Sequence, residues 1–135
     1  MTDTSTSTST SADTDIVSGP DFIALQVRDV EAAAAFYENH LGLRRAPVSP
    51  PHAVVFATEP IAFAVREPLP GVDLDAVPRP GLGVALWFRT PDAQGLHDRL
   101  RAAGIPIVKA PEDGPFGRMF TFTGPEGYTV TAHDA

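Results

Sequence analysis

The stretch that decides the fold is Phe22-Ile23-Ala24-Leu25-Gln26-Val27-Arg28-Asp29, which runs into Val30–Leu43. A second stretch, Gly83-Val84-Ala85-Leu86-Trp87-Phe88-Arg89-Thr90, runs into Pro91–Gly104. Laid over each other without gaps, the pairs Ala24/Ala85, Leu25/Leu86, Arg28/Arg89 and Ala32/Ala93 coincide. Each copy reads as strand then helix. Residues Ile23, Leu25 and Val27 alternate with Phe22, Ala24 and Gln26, the period of a strand with two distinct faces. Asp29 is a good N-cap, Ala32–Ala35 favour helix, and Gly42 ends it. In the second copy Thr90-Pro91-Asp92 reads as cap, first-position proline and first-turn acid. Leu96, Leu100 and Ala103 form the predicted apolar stripe, with Gly104 as the stop.

Further strands are predicted at Ala53–Ala57, Ile61–Val65, Ile105–Val108, Arg118–Thr123 and Tyr128–His133. Thr58-Glu59-Pro60 and Gly124-Pro125-Glu126-Gly127 read as the turns between them. The expected organisation is a Ser/Thr-rich disordered tail over 1–20, then one domain over 21–135. Within it, module one spans 21–67, a Pro-rich linker 68–81 and module two 82–134.

Composition narrows the function classes. The 135 residues contain no cysteine, so disulfides and thiolate metal sites are excluded. The net charge of -7 falls to -3 once Asp3, Asp13, Asp15 and Asp21 of the N-terminal segment are set aside. That leaves no basic footprint for nucleic acid. No apolar run approaches the roughly 20 residues of a membrane span, and no secretory signal pattern is present. The expected location is the cytoplasm, with neither nucleic acid nor membrane as partner.

Five further signatures accompany the duplicated strand and helix: Arg28-Asp29, Phe36-Tyr37, Leu41-Gly42-Leu43, Gly114-Pro115-Phe116-Gly117-Arg118 and Gly124-Pro125-Glu126-Gly127-Tyr128. Together they resemble the vicinal oxygen chelate superfamily over residues 21–134. That superfamily includes glyoxalase I, extradiol dioxygenases, fosfomycin-modifying enzymes and bleomycin-resistance proteins. The resemblance implies an α+β fold: paired βαβββ modules forming a curled sheet with an open cleft, helices on the outer face. It also implies a homodimer.

Enzymes of that superfamily hold a divalent ion with His, Gln and Glu side chains on the cleft strands. Carried over position by position, those ligands fall at Phe22, Gly83, Thr131 and within Ala62–Val65. None offers imidazole or carboxylate, so no metal and no cofactor is expected. The four histidines show no ligand spacing. His40 and His97 are expected at the surface, while His133 either faces the cleft or frays with the C-terminus. Asp134 reads as a terminal charge and Arg118 as an exposed strand end.

Strand parity names the cleft lining. Phe22, Ala24 and Gln26 face it from the first strand, and Gly83, Ala85 and Trp87 from the second half. Met119, Thr121, Thr129, Thr131 and His133 face it from the last two strands, with Phe116 on the loop edge. The candidate ligand-binding residues are therefore Phe22, Gln26, Trp87, Phe116, Met119, Thr121, Thr131 and His133, with no catalytic residue assigned. Mostly apolar walls with sparse polar groups suit a small molecule.

The leading expectation is a metal-free protein that binds an aromatic or polycyclic antibiotic in the bleomycin-resistance manner. Two alternatives stay open. One is a glyoxalase- or dioxygenase-type lyase or transferase with displaced ligands, or a metal-free enzyme using His133 or Glu67. The other is an interaction protein with a vestigial cleft.

Overall fold

Strand β1 (Phe22–Gln26) ends where Asp29 turns the chain into helix α1 (Val30–Leu41). The Asp29 carboxylate accepts the Ala32 N–H at 3.0 Å. Gly42, at φ 73°, closes the helix by donating to Glu38 O at 3.1 Å. Left-handed backbone is where glycine costs least. The computed structural model describes residues 16–135, so most of the expected disordered tail lies outside the described residues.

Strands β2 (Ala53–Phe56) and β3 (Ala62–Arg66) complete a first sheet of order β1-β3-β2, with β1 parallel to β3. The second sheet contains β4 (Trp87–Arg89), β5 (Ile107–Gly114), β6 (Gly117–Thr123) and β7 (Thr129–His133). Its order is β4-β7-β6-β5, with β4 parallel to β7, and helix α2 (Ala93–Ala102) follows β4. The wiring is the same in both. In the first sheet the fourth strand survives as one antiparallel bridge, Arg45 to Phe56. Pro47, Pro50 and Pro51 follow it directly, and prolines cannot donate to a ladder. Among the described residues the architecture is α+β, with two α-helices and seven strands in two mixed sheets.

Each helix covers one face of its sheet. Ala33, Ala34 and Tyr37 of α1 pack on Val54, Phe56, Phe63 and Val65. Ala93 and Leu100 of α2 pack on Phe120, Phe122, Val130 and Ala132. Phe36, Leu41, Leu86 and Phe88 touch both clusters, so the halves share a seam. Polar ties cross it: the Tyr128 hydroxyl donates to Gln26 O at 2.7 Å. Arg28 Nε donates to Asp75 Oδ1 at 2.8 Å, and its Nη1 donates to Glu126. Arg28 thereby fastens the inter-module segment to the β6–β7 turn.

Several expectations are corrected. The helix cap of the second half is Asp92, not Thr90: Asp92 Oδ1 accepts Gly95 N–H at 2.9 Å, and Pro91 precedes the helix. Asp29 and Asp92 are 63 residues apart, and the last rungs of the two parallel ladders agree, Val27 N–H to Arg66 O and Thr90 N–H to His133 O. The ungapped superposition is therefore two residues out of register. Phe22 corresponds to Ala85, Ala24 to Trp87 and Gln26 to Arg89. The slip is even, so faces are preserved.

Gly83 is not a strand residue. It lies at φ 95°, with Gly81 at φ 77°, in turns closed by Leu82 N–H to Arg79 O and Val84 N–H to Gly81 O. Consequently β4 has only three residues. The buried stripe of α2 is Ala93, His97 and Leu100, while Ala103 is its exposed C-cap. His97 is 8% exposed, packed edge-on to Phe120 at 5.4 Å and bonded through Nδ1 to Asp98 at 2.9 Å. An imidazole keeps a polar edge at the solvent boundary while burying its ring, which periodicity alone does not distinguish from a surface position. Tyr37 is more buried than Phe36. Its hydroxyl has no partner among the described residues, and burial pushes its pKa up.

Candidate functional site

The face of the second sheet opposite α2 carries two rows of side chains. The ladder sets Trp87, Thr131 and Thr121 side by side, then Arg89, His133 and Met119. Adjacent strands lie about 4.8 Å apart, so cross-strand neighbours touch. The Thr121 and Thr131 hydroxyls are 2.8 Å apart and satisfy each other.

The β5–β6 hairpin brings Phe116 over this face. Trp87 lies 5.6 Å from Phe116 and 5.4 Å from His133, centroid to centroid, and Phe116 lies 6.5 Å from His133. All three pairs are edge-to-face, the arrangement ring quadrupoles favour. His133 Nδ1 is 3.2 Å from Phe116 O. With hydrogen on Nδ1 that bond forms and Nε2 is left as an acceptor. Trp87 is 41% exposed and Phe116 55%, so large aromatic surface faces outward.

Asp134 holds the hairpin in place. Its two carboxylate oxygens accept Arg118 N–H at 2.9 Å and Ala93 N–H at 3.2 Å. A Cβ at Gly117, φ 81°, would come within 2.6 Å of Asp134 Oδ1, so this approach requires glycine. Asp134 is thus a tie between β7, β6 and α2, more than a terminal charge. These backbone donors hold its carboxyl below the usual aspartate range. A depressed carboxylate stabilises the fold above its unfolded pKa, and that contribution disappears as pH falls through the folded value. Asp134→Asn is expected to flatten the acid limb of a stability-versus-pH curve measured by urea denaturation. Glu31, lowered by Arg45, and Asp98, lowered by His97, retain the rest of the slope. An unchanged acid limb would count against the tie.

Six of the eight candidate residues share this face: Trp87, Phe116, Met119, Thr121, Thr131 and His133. Phe22 and Gln26 sit on the corresponding face of the first sheet, paired with Ala62 and Arg66. Phe22 is 50% exposed. Gln26 Oε1 accepts Leu69 N–H at 2.8 Å, which fastens the start of the inter-module segment and leaves only its amide N–H groups uncommitted. Arg118, expected at an exposed strand end, is half-buried and bonded to Gln94 and Asp113.

A cavity of about 670 Å³ opens between β4 and the β2–β3 turn. Its lining includes Trp87, Arg89 and His133 from the second sheet, and Leu43, Arg44, Glu59, Ile61 and Phe63 from the first module. A second cavity of about 290 Å³, between the end of α1 and the start of α2, shares Leu43, Phe88 and Arg89 with it. Of the candidate residues, only Trp87 and His133 reach the larger cavity. Sequence reasoning missed Arg44 and Arg89. Arg89 shares strand parity with Trp87 and was within reach, but it was read as a mark of the repeat.

The residues at the superfamily's metal positions do not fit a divalent ion. With the register corrected, they are Phe22, Ala85, the Ala62–Val65 segment and Thr131. Among the described residues no three His, Asp or Glu side chains converge. Aromatic rings, methyl groups and a lone neutral hydroxyl do not make a divalent site.

The family model for the glyoxalase/bleomycin resistance protein/dioxygenase superfamily matches residues 19–131. The chain belongs to that superfamily. No curated protein matches this superfamily member by sequence. Among solved structures, TnmS3, an antibiotic binding protein from Streptomyces sp. CB03234, is similar at 22% identity and TM-score 0.68, covering 88% of this chain and 97% of its own. Lactoylglutathione lyase from Agrobacterium tumefaciens is similar at 22% identity and TM-score 0.62, with coverage of 89% and 96%. A glyoxalase-related enzyme from Fulvimarina pelagi is similar at 21% identity and TM-score 0.69, with coverage of 88% and 89%. At these identities the likeness establishes the superfamily fold, which hosts both binders and catalysts.

Proposed function

We propose that this superfamily member binds a planar aromatic small molecule, of the polycyclic antibiotic type, and holds it without transforming it. The observation that carries the reading is the edge-to-face cluster of Trp87, Phe116 and His133 beside a cavity of about 670 Å³. A volume in the hundreds of Å³, lined by apolar side chains with some polar ones among them, suits a drug-sized ligand. The absence of metal donors at Phe22, Ala85 and Thr131 favours holding over metal-assisted chemistry at those positions. The antibiotic-binding neighbour gives the same fold a precedent for this role.

The acting form is a homodimer. Apart from the Trp87 cluster, Phe22 leaves aromatic surface on a sheet face that no helix of the described residues covers, and a second copy would shield it. Trp87 is the sole tryptophan, so its emission reports on the site alone. Titration with anthraquinone is expected to quench it saturably, on a species sedimenting as two chains, with the probe recovered unchanged by mass spectrometry. A flat titration, or a converted probe, would sink the reading.

A further inference from the structure

Arginine side chains in this chain divide into two groups. Arg28, Arg45 and Arg118 are spent on carboxylates, at 2.8 Å to Asp75, 3.0 Å to Glu31 and 2.9 Å to Asp113. The lone lysine, Lys109, is likewise paired with Glu112 at 2.7 Å. With 17 acidic against 10 basic side chains, carboxylates are plentiful. Arg44 and Arg89, which line the larger cavity, have no Asp or Glu within ion-pair distance among the described residues, as is also true of Arg66, Arg79 and Arg101 elsewhere. Arg99, also without one, lines the smaller cavity that Arg89 shares.

Arg89 is anchored on one edge only. Its Nε donates to Ala135 O at 3.0 Å, and neither Nη atom has a partner among the described residues. Among the described residues, the only Asp or Glu in the lining of the larger cavity is Glu59. A cavity in a net-acidic chain is therefore locally cationic. Leu43, Ile61 and Phe63 in the same lining are apolar, and low polarity strengthens a charge interaction made beside them. A guanidinium with both Nη atoms unspent is a planar fork that matches a carboxylate or another oxyanion.

We propose that the ligand carries an ionised acid group, taken by Arg89 and Arg44, while its ring system lies against Trp87. This inference rests on the small-molecule-binding reading above and specifies the ligand class within it: an aromatic acid. It sets aside cationic drugs, which would place positive charge beside two guanidinium groups without an Asp or Glu partner.

The test uses two probes with one ring system, anthraquinone-2-carboxylate and anthraquinone-2-carboxamide, titrated by Trp87 quenching at low ionic strength. The acid is expected to bind at least tenfold more tightly than the amide. That preference shrinks as salt is raised, because the guanidinium groups are partly exposed. In the Arg44→Gln, Arg89→Gln double variant, checked for native circular dichroism, the acid-to-amide ratio falls toward one. Each single variant gives an intermediate ratio, so the test survives if the double variant does not fold. Equal binding of the two probes by the wild-type protein, or an undiminished ratio in the variants, overturns the aromatic-acid assignment alone. If neither probe binds, the small-molecule reading fails with it.

Discussion

Trp87→Ala is expected to weaken binding of an anthraquinone probe by roughly thirtyfold to a hundredfold. The indole lies beside both Phe116 and His133 and is 41% exposed, so a flat ligand would cover surface that is now wet. Covering a large side chain contributes about 1.5–3 kcal/mol, and ring–ring geometry about 0.5–1.5 kcal/mol more. About 2–3 kcal/mol of loss corresponds to that range of affinity. The variant lacks the tryptophan signal, so calorimetry is the measurement. Trp87→Phe should recover part of the loss, since a ring remains. The fold should survive both changes, because Trp87 belongs to neither buried cluster. Equal affinity for wild type and Trp87→Ala would remove Trp87 from the site and with it the main support for an aromatic ligand.

The fold was legible wherever local chemistry is decisive. Asp29 and Gly42 bound the first helix because a carboxylate cap and a left-handed glycine act within one turn of chain. Alternation placed Phe120 and Phe122 toward the helix and Met119 and Thr121 away from it. The register of the repeat was not legible in the same way. Identities at Ala24/Ala85 and Ala32/Ala93 outweighed the cap positions, although caps are fixed by hydrogen bonds and alanines by little. Thr90 and Asp92 both suit an N-cap, and only the geometry at Gly95 N–H separates them. Gly81 and Gly83 turn the chain where the residues around them read as strand.

The site divided along the same line. Parity within the second sheet gathered Trp87, Thr131, Thr121, Met119 and His133, because a ladder fixes neighbours at short range. The cavity lies between the modules, and Arg44 enters it from the loop after α1. Such a junction depends on how Phe36, Leu41, Leu86 and Phe88 seat one half against the other. No periodicity encodes that contact.

Phe120→Ala is expected to cost about 3–5 kcal/mol of stability, measured by urea denaturation followed by circular dichroism. Phe120 is fully buried on β6, opposite Ala132, with Phe122 at 5.7 Å and His97 at 5.4 Å. The surroundings are a strand ladder and the buried face of α2, which cannot collapse far into the space left behind. Against a typical domain stability of about 5–15 kcal/mol, the loss is large. A loss below about 1 kcal/mol would mean that the second core is looser than its burial implies. The side chain points away from the face that carries Met119 and Thr121, because successive residues of a strand alternate. Phe120→Ala should therefore lower the unfolding midpoint while leaving ligand affinity close to wild type in whatever fraction remains folded. Trp87→Ala should do the reverse. That opposition separates the helix-covered face of the second sheet, which holds the module together, from its uncovered face, which meets the ligand. A ligand-affinity loss in Phe120→Ala as deep as that in Trp87→Ala would show instead that the two faces act as one unit.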